Sequence, residues 1–77
     1  MWRIYGKIQD FIAGENLVNN QIYIIDRNTQ RIRRPTNPDE WWNNEVVWVN
    51  NVPTTDNYNF EITAGEMCRC WKVWIQL

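Results

Sequence analysis

The stretch Gln21-Ile22-Tyr23-Ile24-Ile25-Asp26-Arg27-Asn28-Thr29-Gln30-Arg31-Ile32-Arg33-Arg34 decides the fold class. In an extended chain Ile22 and Ile24 fall on one face, and Tyr23 and Ile25 on the other. A strand that is apolar on both faces is covered on both, so Gln21–Arg27 reads as a central strand. Asp26-Arg27-Asn28-Thr29 is a turn former that returns the chain as a hairpin into Gln30–Arg34. Upstream, Trp2, Ile4, Gly6 and Ile8 alternate with Arg3, Tyr5, Lys7 and Gln9, a half-buried strand with the first set inward. Gly14-Glu15-Asn16 and Asn19-Asn20 are turn signals. Downstream, Asn37-Pro38-Asp39-Glu40 has the form of a helix start, with Asn37 as cap and Glu40 three residues on. Asn43-Asn44 allows it one turn at most. Glu45–Asn50 is a further strand, ended by Val52-Pro53. Tyr58, Phe60 and Ile62 alternate with polar neighbours as another. After Ala64-Gly65 a last strand puts Met67, Trp71, Val73, Ile75 and Leu77 on its main apolar face, interrupted by Arg69. Cys68, Cys70, Lys72, Trp74 and Gln76 take the other face.

These short strands, separated by Asn, Gly and Pro, predict one all-β domain over residues 1–77. The expected form is a small antiparallel β-sandwich of about six to seven strands with at most one helical turn. A small OB-type barrel is the alternative. In 77 residues a core is modest, and such domains usually add disulfides, a metal or a partner subunit. Here there are two cysteines and six tryptophans, so aromatic bulk stands in for crosslinks. The net charge is −1, which favours neither nucleic acid nor a membrane surface. Charge is nevertheless segregated. Arg27, Arg31, Arg33 and Arg34 lie together, while Pro35–Glu66 contains Asp39, Glu40, Glu45, Asp56, Glu61 and Glu66 and no Lys or Arg. The start has no basic, apolar pattern of a signal peptide, and no apolar run approaches a membrane span. The expectation is a protein of the cytoplasm or of a particle assembled there.

The first third resembles a carboxypeptidase-regulatory-like, or prealbumin-like, β-sandwich module. The residues that carry the likeness are Gly6-Lys7-Ile8-Gln9-Asp10, Gly14-Glu15-Asn16-Leu17 and Ile22-Tyr23-Ile24-Ile25. Thr55-Asp56 with Phe60-Glu61-Ile62 is similar to a later stretch of that family. Asn16 stands where the family usually has Pro, and Arg31–Asn51 has no counterpart. The resemblance implies a non-catalytic spacer or docking module of surface proteins or phage particles. It implies no site residues.

The chain has no histidine and no serine. That removes Ser-His and Cys-His nucleophiles and every His metal ligand. Asp39, Glu40 and Glu45 are the remaining acid/base candidates, near a turn where carboxylates are ordinarily solvated, and a core this small can hardly enclose a ligand pocket. No catalytic, cofactor or metal site is expected. Cys68 and Cys70 face the same way on a strand, with Cα atoms ~6.5–6.8 Å apart, the edge of disulfide geometry. Two thiols do not complete a zinc site, so they are read as small packing residues. Trp and Arg are the usual anchors of protein interfaces. The expected interface is therefore Trp41, Trp42, Trp48 and Trp74, with Arg31, Arg33 and Arg34 at its rim. The resulting reading is a non-enzymatic structural or interaction module that docks on a larger assembly, such as a capsid or tail accessory protein of a phage particle or part of a surface complex. Its partner is another protein or a second copy. One alternative is carbohydrate binding by surface tryptophans, with Asn43, Asn44, Asn50 and Asn51 nearby. The other is single-stranded nucleic-acid binding by an OB-like barrel, which the slightly acidic composition disfavours.

Overall fold

The computed structural model describes residues 2–51 and 59–75, and the side chains of residues 7–51 and 59–73. The expectations for Val52-Pro53, Thr55-Asp56, Tyr58, Gln76 and Leu77, and for the side chains of Trp2, Ile4, Trp74 and Ile75, lie outside these residues. In chain order the elements are β1 (Trp2–Ala13), β2 (Leu17–Val18), β3 (Gln21–Ile25), β4 (Arg31–Arg33), α1 (Glu40–Asn43), β5 (Glu45–Val49), β6 (Glu61–Ile62) and β7 (Met67–Ile75).

The hairpin forms as its residues dictate. Asp26 Oδ1 accepts the backbone N–H groups of Asn28 at 2.7 Å and Thr29 at 3.1 Å, the arrangement that makes Asp a turn former. Gln30 takes a left-handed φ of 60° and donates its N–H to the Asp26 carbonyl. Ile25 then lies opposite Ile32, and Ile24 opposite Arg33. β3 pairs with β5 on its other edge from Gln21–Val49 to Ile25–Glu45, so it is central, as its two apolar faces require.

The fold is all-β in its main architecture, but the strands close into a barrel, in the order β1-β4-β3-β5-β7, with β2 and β6 as a separate two-stranded sheet. This corrects the expected sandwich in favour of a barrel. The cause is the length of β1. It pairs antiparallel with β7 along its course, and its last residues, Ile12 and Ala13, also pair in parallel with Arg31 and Ile32 of β4. One strand thereby joins the two edges that a sandwich would leave apart. Gly14 permits the join. A Cβ there would meet the Arg31 Cβ at 3.2 Å and the Ile32 carbonyl oxygen at 3.3 Å, and the Gly14 N–H donates to that carbonyl at 2.8 Å.

The interior holds Ala13, Tyr23, Ile25, Ile32, Val47, Val49, Cys68 and Cys70, with Phe11 packed against them. Leu17 and Ile62, opposite each other in the small sheet, belong to the same cluster and so place that sheet over the interior. β2 lies between two turn signals and was not expected as a strand. Two expected facings are corrected, those of Ile8 and Phe60. A register shift between Tyr5 and Ile8 resets the alternation of β1, so Phe11 turns inward and Ile8 is 53% exposed. In β7 the cysteines face the core, and Met67 is 55% exposed. Phe60 is 40% exposed, and only Ile62 of its expected strand enters the core.

A second cluster covers the outer face of the sheet. Ile24, Val46 and Val73 are buried there beneath Ile22, Trp41 and Trp48. Trp41 comes from α1, the single helical turn. The Asn37 side chain accepts the Asp39 N–H at 3.0 Å, and the N–H groups of Glu40 and Trp41 bond three residues back, to Asn37 and Pro38. The helix proper begins at Glu40, two residues later than Pro38, so Asp39 and not the expected Asn37 holds the cap position, without a side-chain cap bond. Glu40 also reaches back to accept the Thr36 N–H at 2.6 Å and the Thr36 hydroxyl at 2.7 Å. Arg33 ties this turn to the hairpin. Its Nε donates to Asp26 Oδ2 at 2.9 Å, and its two terminal nitrogens donate to the two Glu40 oxygens.

The Arg33 guanidinium, and then Thr36, hold the Glu40 carboxyl far below the usual carboxylate range. Arg33 and the N–H groups of Thr29 and Asn28 lower Asp26 as well. A depressed carboxyl stabilises the fold above its unfolded value of ~4, and that contribution is lost as pH falls through the folded value. Thermal melts followed by circular dichroism should therefore be flat from neutral pH to about 5 and fall steeply below ~4. Glu40→Gln should melt lower at pH 7 and show a shallower acid decline. An identical acid decline in Glu40→Gln would place the titrating groups elsewhere.

Candidate functional site

β4 ends at Arg33, and Pro35 follows, a residue without an N–H for the ladder. Continuing the hairpin register would set Arg34 opposite Tyr23 and Pro35 opposite Ile22. Instead the chain peels away there and leaves an open cleft of about 470 Å³. Val18, Gln21, Ile22 and Tyr23 line one side, and Arg34, Pro35 and Trp41 the other. The concavity is a surface feature made by chain departure, not a chamber within the core. In an antiparallel ladder alternate residues turn their backbone groups to opposite edges. Ile24 pairs with Arg33 on this edge, so the N–H and C=O of Ile22 also turn toward the cleft.

The cleft walls are rigid. The Tyr23 hydroxyl accepts the Val18 N–H at 2.7 Å and donates to the Val18 carbonyl at 3.0 Å. The Arg34 guanidinium carbon lies 5.7 Å from the centre of the Tyr23 ring, within cation–π range. Arg34 Nη1 donates to Glu15 Oε1 and to the Asn16 carbonyl, both at 2.7 Å. Arg34 is thus a strut between the cleft and the Gly14–Asn16 turn.

The seven expected interface residues occupy different settings. Trp41 is half-buried at the cleft, and its neighbour Trp42 is 66% exposed. Trp48 is half-buried on the outer face. Its indole Nε1 donates to Asn20 Oδ1 at 2.9 Å, and its ring lies 5.0 Å from that of Trp71. Trp74 has its backbone on β7, and its side chain lies outside the described residues. Arg33 and Arg34 are bonded within the chain, whereas Arg31 is exposed and forms no ion pair among the described residues.

The asparagines expected near the tryptophans mostly serve the fold. Buried Asn19 accepts the Asn51 N–H at 2.8 Å, and the Asn50 N–H donates to the Arg69 carbonyl at 2.9 Å. Asn51 Oδ1 accepts the Arg69 N–H, and its Nδ2 donates to the Met67 carbonyl. Asn44 accepts the Arg27 N–H and donates to the Glu40 carbonyl. Two of the three candidate carboxylates are ion-paired. Glu40 is held by Arg33, and Glu45 Oε1 lies 3.0 Å from Lys72 Nζ. Asp39 is exposed. A carboxyl as depressed as Glu40 carries no proton at neutral pH to donate. Sequence reasoning passed over Tyr23 and Pro35 as site residues. Pro35 directly after a predicted strand was the available signal.

Cys68 and Cys70 are free thiols, fully buried in the barrel wall. Among the described residues no group of three or more His, Cys, Asp or Glu side chains is placed to hold a metal. Burial, and then Glu66, pushes the Cys68 thiol to about 11. Burial, with Cys68, Glu45 and Asp10 adding, pushes Cys70 to about 12. A raised thiol favours the folded state below the unfolded value of ~8.5 and loses that contribution as pH rises through 11 and 12. Iodoacetamide at pH 8 should therefore label both cysteines only at the rate of global unfolding, and melting temperatures should drop above pH ~9. Labelling of the native protein at the rate of a free peptide thiol would show that the wall opens at β7.

No helix among the described residues is long and apolar enough to cross a membrane. Comparison with protein-family models, curated proteins and solved structures finds no match to this chain.

Proposed function

We propose that this chain is a non-catalytic docking module of a larger assembly, such as a phage particle or a surface complex. It acts in the cytoplasm or in a particle assembled there, and grips a partner protein at the Trp41 cleft. The observation that carries the proposal is Trp42. It is a 66% exposed indole one residue on from the tryptophan that lines an apolar-walled cleft. Large aromatics displayed beside a pocket are the common anchors of protein interfaces. The apolar surfaces of Ile22 and Pro35 and the Ile22 backbone groups suit an extended segment that inserts one apolar side chain. Charge would orient the contact, since Arg31 is exposed on one strand and Asp39 on the helical turn.

The nucleic-acid alternative stands lower. A barrel is compatible with it, but Arg33 and Arg34 spend their charge on Asp26, Glu40 and Glu15. A glycan platform at Trp41 and Trp42 has fewer amides at hand than expected, since Asn44, Asn50 and Asn51 bond within the fold and Asn43 alone of the four is exposed.

Trp42→Ala should leave the melting temperature within ~3 °C, because the side chain is exposed. It should weaken partner binding by tenfold or more, as measured by calorimetry on the co-purified complex. Sedimentation across a wide concentration range separates a second copy from a different protein. A monomer at every concentration, with no co-purifying protein and an unchanged Trp42 environment in the native particle, would refute the docking role.

A further inference from the structure

Asp10 of β1 and Arg69 of β7 are directly opposite partners, so their side chains stand on the same, outward face. Opposite charges so placed ordinarily pair. Among the described residues, however, no ion pair joins them. Between them opens a cleft of about 320 Å³ lined by Asp10, Asn51, Met67 and Arg69. Asn51 is a fixed wall, its amide bridging the Arg69 N–H and the Met67 carbonyl. Arg69 is half-buried, and Asp10 is exposed. One step along the same face, Ile8 is opposite Trp71, and Trp71 is opposite Trp48, their rings 5.0 Å apart and tilted by 35°.

We infer that this outward face of β1 and β7 binds a neutral pyranose sugar, held between Asp10 and Arg69 and against Trp71. The chemistry selects the ligand. Guanidinium only donates and carboxylate only accepts. A ligand that meets both at once must do both, and vicinal hydroxyls do so without carrying charge. A simple anion would satisfy Arg69 but face Asp10, and a simple cation the reverse. The volume sits at the small end of ligand clefts, ~300 Å³, which suits a single ring. The cleft is shallow, so a zwitterion such as a free amino acid would gain little from its two screened ion pairs. The apolar face of a sugar ring would still cover the open part of the half-buried Trp71 indole. This site shares no residue with the Trp41 cleft and does not depend on the docking role proposed there.

The test is an NMR titration of the ¹⁵N-labelled protein with the methyl pyranosides of glucose, galactose and mannose. Glucuronate and leucine are the comparison arms. At least one neutral pyranoside should give saturable shifts at the Trp71 indole N–H and the Arg69 and Asn51 amides. Binding should weaken by about tenfold or more in Asp10→Ala, whose exposed side chain can go without loss of fold, and in Arg69→Gln. Glucuronate should bind more weakly than its neutral counterpart. The inference is overturned if no pyranoside saturates these signals by roughly 50 mM, where even millimolar affinity would be evident. Tighter binding by leucine than by every sugar, or shifts confined to Trp41 and Trp42, would overturn it equally.

Discussion

Arg33 is held by two carboxylates that lie seven residues to either side of it in the chain, Asp26 and Glu40. Asp26 is the residue that shapes the hairpin turn, and Glu40 is the first residue of the helical turn. The guanidinium fork can meet both because it is planar and offers donors in fixed directions. What it fixes is larger than an ion pair. The helical turn carries Trp41, and Trp41 covers the buried outer cluster of Ile24, Val46 and Val73. The same placement makes Trp41 one wall of the cleft that opens where Pro35 ends β4. Hairpin geometry, the cover of the outer sheet face and the shape of the candidate site thus share one electrostatic joint. Its charges are only partly exposed, so salt screens it less than a surface pair.

The barrel sets a second constraint, which is size. Barrel diameter grows with strand number, and five strands leave a narrow interior. The interior takes Ala13, Val47, Val49, Cys68 and Cys70 beside the larger Tyr23, Ile25 and Ile32, and no described tryptophan is among its buried residues. Trp48 and Trp71 stand on the outer face, where they stack against each other. The aromatic bulk that a 77-residue chain would be expected to use inside is therefore partly displayed outside.

That displacement explains which features the sequence made legible. The hairpin, the central β3 and the single helical turn follow from local signals: Asp26 at a turn, two apolar faces, and Asn37 with Glu40 three residues on. The motifs that resemble a sandwich module are local in the same way, lying in β1, its following turn and β3. They encode strands and turns but not which edges meet. Closure depends on β1 serving two partners, a pairing between Ile12–Ala13 and Arg31–Ile32 that no local pattern announces. In β7 alternation gives two faces without saying which is inside, and the structure turns Cys68 and Cys70 inward. Of the site, Trp41 and Trp42 were legible as neighbours of a turn. The roles of Arg33 and Arg34 were not, since their carboxylate partners come from other turns of the chain.

A barrel wall has two faces, and in most of this wall both are apolar. The inner face is filled by the chain itself. Along the outer face, Ile24, Val46 and Val73 are covered, whereas in the next row Ile22, Trp48 and Trp71 are half-buried and Ile8 is exposed. Scattered apolar residues on a surface need no explanation, but a row that crosses four adjacent strands in register is contiguous. Beside it lie charged groups that do not neutralise each other, Asp10 and Arg69, and across the sheet edge lies the cleft beneath Trp41. A fold that needed only stability would bury the row or break it with charge. Aromatic surface beside Asp10 and Arg69 is the composition proposed above for ligand recognition.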